Sequence, residues 1–157
     1  MARKNKGEER NALRVWLQIA RCNALLEGEV SRRLREGFGQ SLSRFDVLSQ
    51  LERAKTGRLA ITQLSSQLIA SSGNISRLLD RMESDGLLRR NYLEGDRRVI
   101  EIEMTEAGKN LFAGMAASQR KWIDDLMLDF PEQKKEDLFA LLVEAFGFID
   151  RKIQSGK

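Results

Sequence analysis

The 157-residue sequence contains no histidine, one cysteine and one proline. Without histidine, the commonest general base and the commonest metal ligand are both missing. The lone thiol, Cys22, excludes an internal disulfide, a cysteine zinc cage and a Cys/His nucleophile pair. Neither GxGxxG nor a P-loop pattern occurs, so no glycine-rich phosphate cradle is available. An enzyme is therefore left without visible machinery, and no metal or other cofactor is expected. No run of about 18 apolar residues exists, so no helix should span a membrane. The opening MARKNKGEERN is basic and polar with no apolar segment after it, which argues against a secretory leader. A cytoplasmic protein is expected, and a single thiol suits that reducing compartment.

What is present looks like a folded domain. Hydrophobic residues make up 41% and charged residues 32%, ordinary values for a chain able to bury a core. The overall net charge of +4 is a net +6 over the first 70 residues against −2 over the remainder. Any nucleic-acid binding must then come from a few placed cations rather than from a polybasic surface.

Residues 9–37 predict a long first helix: Ala12, Trp16, Ile19, Asn23, Leu26, Val30 and Leu34 recur at spacings of three and four. Gly37 and Gly39 end it. Ser43 precedes a second helix carrying Phe45, Val47, Leu48 and Leu51, which finishes near Gly57. Thr62 and Ser71 read as N-caps of two short helices, the second carrying Ile75, Leu78, Leu79 and Met82 and stopping at Asp85-Gly86. Two helices joined by a short turn form a helix-turn-helix. Leu87–Tyr92 and Val99–Met104 then read as strands around the turn EGDRR. Thr105 caps a fifth helix, Asp129-Phe130-Pro131 interrupts it, and a last helix runs through Leu138, Leu142, Ile149 and Ile153. The expected fold is mainly α with a small β-hairpin, a winged helix-turn-helix lobe at 43–104 between terminal helices.

The outer face of the fourth helix carries Ser72, Asn74, Ser76, Arg77 and Arg81, residue types that pair with base edges in a major groove. Ser71, Ser72 and the first-turn N–H groups suit a phosphate. The same residues also read as a solvated polar face. Arg97 and Arg98 at the hairpin tip suit the narrow, negative minor groove, with Asp96 orienting one guanidinium. A merely solubilised edge hairpin is the alternative. Ser43, Arg44 and Thr62, at the starts of the two preceding helices, complete the residues assigned to the DNA face.

The segment SSGNISRLLDRMESDGLLRR followed by GDRRVIEIEMTEAG resembles the signature of MarR-type transcriptional regulators. Asn74 to Glu83, Gly86, Leu87, Leu88 and Arg90 match the recognition-helix pattern, Asp96 and Arg98 the wing pair, and Thr105 and Gly108 the opening of the next helix. Ser72 and Gly73 depart from it, where a basic and a small polar residue are frequent. The resemblance implies a homodimer joined through 9–37 and 110–153, bound to a pseudo-palindromic double-stranded operator. It also implies repression, or activation where the operator lies differently, relieved by a small aromatic or acyl-thioester ligand.

Candidate effector-lining residues are Trp16, Ile19, Phe45, Leu48, Phe112 and Met115, with Arg14, Arg21 or Arg44 as the cation for a carboxylate. All six apolar residues also read as plain core. A redox response through Cys22 is a rival, though a packed, inert thiol is the better reading. A winged-helix module that binds protein instead of DNA is the remaining alternative.

Overall fold

A computed structural model describes the backbone at 6–68, 75–93 and 96–156, and side chains at 11–68, 75–92 and 100–156. The elements are α1 (Lys6–Phe38), α2 (Leu42–Arg53), β1 (Arg58–Ala60), α3 (Ile61–Gln67), α4 (Ile75–Ser84), β2 (Leu88–Leu93), β3 (Asp96–Met104), α5 (Glu106–Leu126) and α6 (Glu132–Gln154). Two compact units divide the chain, Met1–Gln119 and Arg120–Lys157.

In the first unit the core gathers under α2, α3, α4 and the sheet. Val47, Leu48, Leu51, Leu64, Leu79, Met82 and Ile102 are fully or almost fully buried there. The alternation in β3 sends Ile102 and Met104 inward and leaves Glu101 and Glu103 on the other face. The sheet has three antiparallel strands in the order β1-β3-β2, one more than the hairpin expected from sequence. The extra strand, β1, pairs Arg58, Leu59 and Ala60 with Glu103, Ile102 and Glu101. At three residues it is too short to show a period of its own.

Two helix starts differ from expectation. The cap of α2 is Ser41, whose hydroxyl accepts the Arg44 N–H at 3.3 Å, so Ser43 lies inside the helix. Ala60 occupies the cap position of α3, its N–H donating to Gln63 Oε1 at 3.1 Å, and Thr62 is already helical. The helix stops fall close to the expected places, although Gly37 is still inside α1. Gly39 and Gly86 take positive φ, the left-handed geometry that glycine adopts without strain. Helix α2 ends at Arg53, ahead of Gly57.

The second unit consists of the end of α5, the turn at 127–131 and α6. Pro131 sits immediately before α6, where its missing N–H costs nothing. Among its described residues α6 buries none, although Leu138, Phe139, Leu142, Phe146, Phe148 and Ile149 lie along it. In the first unit α1 likewise leaves Leu13, Trp16, Leu17, Ile19 and Leu25 exposed.

Candidate nucleic-acid interface

The lobe that would meet DNA is organised around the end of α4. Gly86 N–H bonds Glu83 O and Leu87 N–H bonds Met82 O, both at 2.9 Å, closing a Schellman turn with Leu87 and Met82 buried together. Thr105 locks α5 onto this turn. Its hydroxyl donates to Gly86 O at 2.6 Å and accepts from Gly108 N–H at 3.1 Å, while its own N–H reaches Leu87 O at 3.0 Å. Gly108 permits the approach, since a Cβ there would lie 2.2 Å from Leu87 O.

On α4 itself, Leu79 and Met82 are buried, Ile75 and Leu78 half-buried, and Ser76, Arg77 and Arg81 exposed on the opposite face. Neither Arg77 nor Arg81 pairs with a carboxylate among the described residues. Other cations of the lobe are already engaged. Arg44, largely sheltered, reaches Asp85 at 2.5 Å and Gln40 Oε1 at 3.0 Å, tying α2 to the end of α4. Arg58 and Arg89 flank Glu103 across the three strands at 3.1 and 2.9 Å, with Asn91 Nδ2 also 2.9 Å away. The Arg89 hydrogen bond is the chief cause, with Asn91 and Arg58 adding to it, of a Glu103 pKa lowered to about 2.

Arg90 is the most elaborately held of these. Its guanidinium binds Asp80 Oδ1 at 2.6 Å and the Glu83 carboxylate, and its backbone N–H donates to Glu83 Oε1 at 3.2 Å. Burial disfavours its charge, yet the two carboxylates outweigh that and raise its pKa above the ordinary arginine value. Sequence reading matches Asp80, Glu83, Arg90, Thr105 and Gly108 to a signature but gives none of them a part in the site. Their roles depend on neighbours at least 7 positions away, and helical or strand periodicity carries no such signal.

Ser71, Ser72, Gly73 and Asn74 lie outside the described residues, as do the side chains of Asp96, Arg97 and Arg98. The backbone of β3 already includes 96–98, so both arginines fall on the strand rather than in the turn. The register between β2 and β3 shifts between Tyr92 and Leu93, where Leu93 faces Asp96 and Tyr92 faces Ile100. An irregularity of this kind re-aims a strand's end. Ser43 is half-buried within α2 and Thr62 exposed on α3.

The six effector candidates separate. Leu48 and Met115 are fully buried and Phe45 nearly so. Phe112 is half-buried, its ring 5.5 Å from that of Phe45 and tilted by 31°. Trp16 and Ile19 are exposed on α1. Cys22 is exposed rather than packed, with Gln18 Nε2 at 3.7 Å from its sulfur. Arg14 and Arg21 are exposed. No described helix is long and apolar enough to cross a membrane.

A helix-turn-helix packed against a β2–β3 wing defines the class of winged helix-turn-helix proteins. Residues 41–100 match the MarR family model. The repressor YetL of Bacillus subtilis is 29% identical over 110 residues, 70% of this chain and 66% of YetL. A MarR family regulator from Silicibacter pomeroyi superposes with a TM-score of 0.79 at 26% identity, over 93% of this chain and 99% of that one. Sco3205 of Streptomyces coelicolor, solved in complex with DNA, gives 0.71 at 23% identity, over 94% and 91%. Residues 41–100 thus carry a MarR family domain, and the fold around it is that of the winged helix-turn-helix, DNA-binding transcriptional regulators of that family.

Proposed function

We propose that this regulator is a homodimeric repressor that binds a pseudo-palindromic operator and releases it on binding a small aromatic or acyl-thioester ligand. The dimer rests chiefly on the terminal helices. Trp16 on α1 is 62% exposed and Phe146 on α6 is 71% exposed, each within a run of other exposed apolar side chains. Apolar surface of that extent is normally covered by a partner. A second copy supplies a self-complementary cover and the two-fold symmetry that half-sites one helical turn apart require. Repression is the role that YetL bears in name. Phe112, half-buried beside the buried Phe45, leaves part of an aromatic ring accessible to an aromatic ligand.

On DNA, Ser76, Arg77 and Arg81, with Ser71, Ser72 and Asn74 ahead of them, face the major groove, and Arg98, oriented by Asp96, enters the minor groove beside Arg97. Ser43, Arg44 and Thr62 lie on the flanking helices, Arg44 contributing only if it leaves Asp85. The test is operator binding by fluorescence anisotropy across a salt series, on a duplex the wild type selects from a randomised pool. Arg98→Ala should weaken binding and lower the salt slope by about 1 per half-site. Arg77→Ala should cost about 1–3 kcal/mol and relax preference at one base pair. Unaltered affinity and slope in Arg98→Ala would count against the wing's role. A monomer in sedimentation at micromolar concentration would remove the dimer. A flat thermal-shift response to aromatic acids and acyl thioesters would remove the ligand class and turn attention to oxidation of Cys22.

A further inference from the structure

Four described arginines, Arg77, Arg81, Arg89 and Arg90, lie on α4 or β2, and they look alike in sequence. Their surroundings differ. Arg90 is only 18% exposed at the side chain and spends its donors inside the lobe, on Asp80 and on Glu83. Asp80 and Glu83 are three apart on α4 and therefore share a face one turn long. A planar guanidinium bridging two such carboxylates fixes both the separation and the rotation of the elements it joins, which a point-like ammonium does not. Glu83 adds a second restraint by accepting the backbone N–H of the same residue. The recognition helix is thus fastened to the first half of the wing strand through side chain and main chain together.

Resting on the DNA-binding reading above, we infer that Arg90 is a positioning residue, setting the angle between α4 and the wing so that both grooves are engaged at once. The leverage is considerable. From Arg90 to Leu93 β2 rises about 10 Å at roughly 3.3 Å per residue. A rotation of about 10° at the clamp therefore moves the end of β2 by about 2 Å, beyond the tolerance of a hydrogen bond. A second effect acts in the same direction. Asp80 is 59% exposed at the side chain and lies between Arg77 and Arg81 in sequence. Paired to Arg90, it neither repels phosphate nor draws Arg77 away from DNA. Removing Arg90 releases it to do both.

The experiment uses the full chain on the wild-type-selected duplex, with two footprints at saturating protein. Hydroxyl radicals read minor-groove protection and dimethyl sulfate reads guanine N7 in the major groove. The variants are Arg90→Met, Arg90→Lys, and the pair Asp80→Ala with Glu83→Ala, which leaves Arg90 in place but unclamped. Each is expected to bind at least tenfold more weakly and, at saturation, to keep guanine protection while losing minor-groove protection at the wing. The double variant is the sharpest arm. If Arg90 were a phosphate contact, freeing it and deleting two negative charges would tighten binding. Wild-type or tighter affinity there overturns the inference, as does full rescue by Arg90→Lys or retention of both protections in Arg90→Met. Should Arg90→Met fail to fold, the double variant decides alone, its substitutions lying at exposed or half-exposed helical positions. A wild type that selects no duplex defeats the DNA-binding reading instead, an outcome separate from all of these.

Discussion

Replacing Gly108 by alanine tests the architecture most directly, because local and tertiary reasoning predict opposite signs. Gly108 is in the first turn of α5, where alanine is the better helix former by about 1 kcal/mol. On that ground the variant gains stability. The packing says otherwise. A Cβ would lie 2.2 Å from Leu87 O and 3.2 Å from Leu87 C, both backbone atoms that no rotamer change can move. Restoring van der Waals distance requires α5 and the turn after α4 to separate by about 1 Å. Thr105 N–H to Leu87 O, 3.0 Å, and Thr105 Oγ1 to Gly86 O, 2.6 Å, bridge the same gap and would stretch with it.

Overpacking costs about 1–3 kcal/mol, and two weakened hydrogen bonds add about 0.5–1.5 each. Set against the helical gain, the net loss is about 1–5 kcal/mol, centred near about 3. For a chain of this length that lowers Tm by roughly 5–15 °C. Circular dichroism melts at one fixed protomer concentration measure it, since the Tm of the proposed dimer would depend on concentration. Gly28→Ala is the control. That glycine lies within α1, and a Cβ added to it would meet nothing within 4 Å, so its Tm should hold or rise by a few degrees. A Gly108→Ala protein melting at or above wild type would refute the packing argument.

Two further substitutions probe separate parts of the lobe. Ser41→Ala should cost about 1 kcal/mol by uncapping α2, whereas Ser43→Ala should be nearly neutral; the reverse order in chemical denaturation would return the cap to Ser43. Glu103→Gln should lower Tm at neutral pH by loosening the link between Arg58, Arg89 and Asn91. The folded pKa of Glu103, about 2, lies below its usual value of 4.5, so its contribution is complete above that usual value and fades as pH falls toward 2. The gap between wild type and Glu103→Gln should therefore narrow below about pH 4.5, and a gap that stays constant or widens would reject this assignment.

The parts of the fold legible in sequence are those fixed by local chemistry. Helical periodicity locates α1, α5 and α6, glycine locates the ends of α1 and α4, and alternation locates the inward face of β3. Ser41 and Ser43 show where that stops working. Both are cap-forming residues two positions apart, and the choice between them depends on which backbone is extended, here ψ 157° at Ser41. Strand β1 escapes a local reading because its order comes from Glu103 and Ile102, far along the chain. The exposed and buried members of the effector set are equally inseparable, since Trp16 and Met115 satisfy the same periodic pattern while only Met115 is covered in the first unit.

The arginines carry this distinction into function. A guanidinium whose donors are occupied by carboxylates must break those bonds before it can bind phosphate, a cost that is largest for the sheltered Arg44 and Arg90 and small for the exposed Arg89. Arg44, Arg58, Arg89 and Arg90 are held in this way, so the lobe's formal positive charge overstates what it can offer to DNA. Arg77 and Arg81, unpaired among the described residues, can bind DNA without that cost. Signature residues therefore divide by what their donors already touch. Arg90, Glu83, Thr105 and Gly108 are spent on the geometry that joins helix, wing and α5, and in the DNA-binding reading proposed above that geometry decides whether α4 and the wing reach their two grooves together.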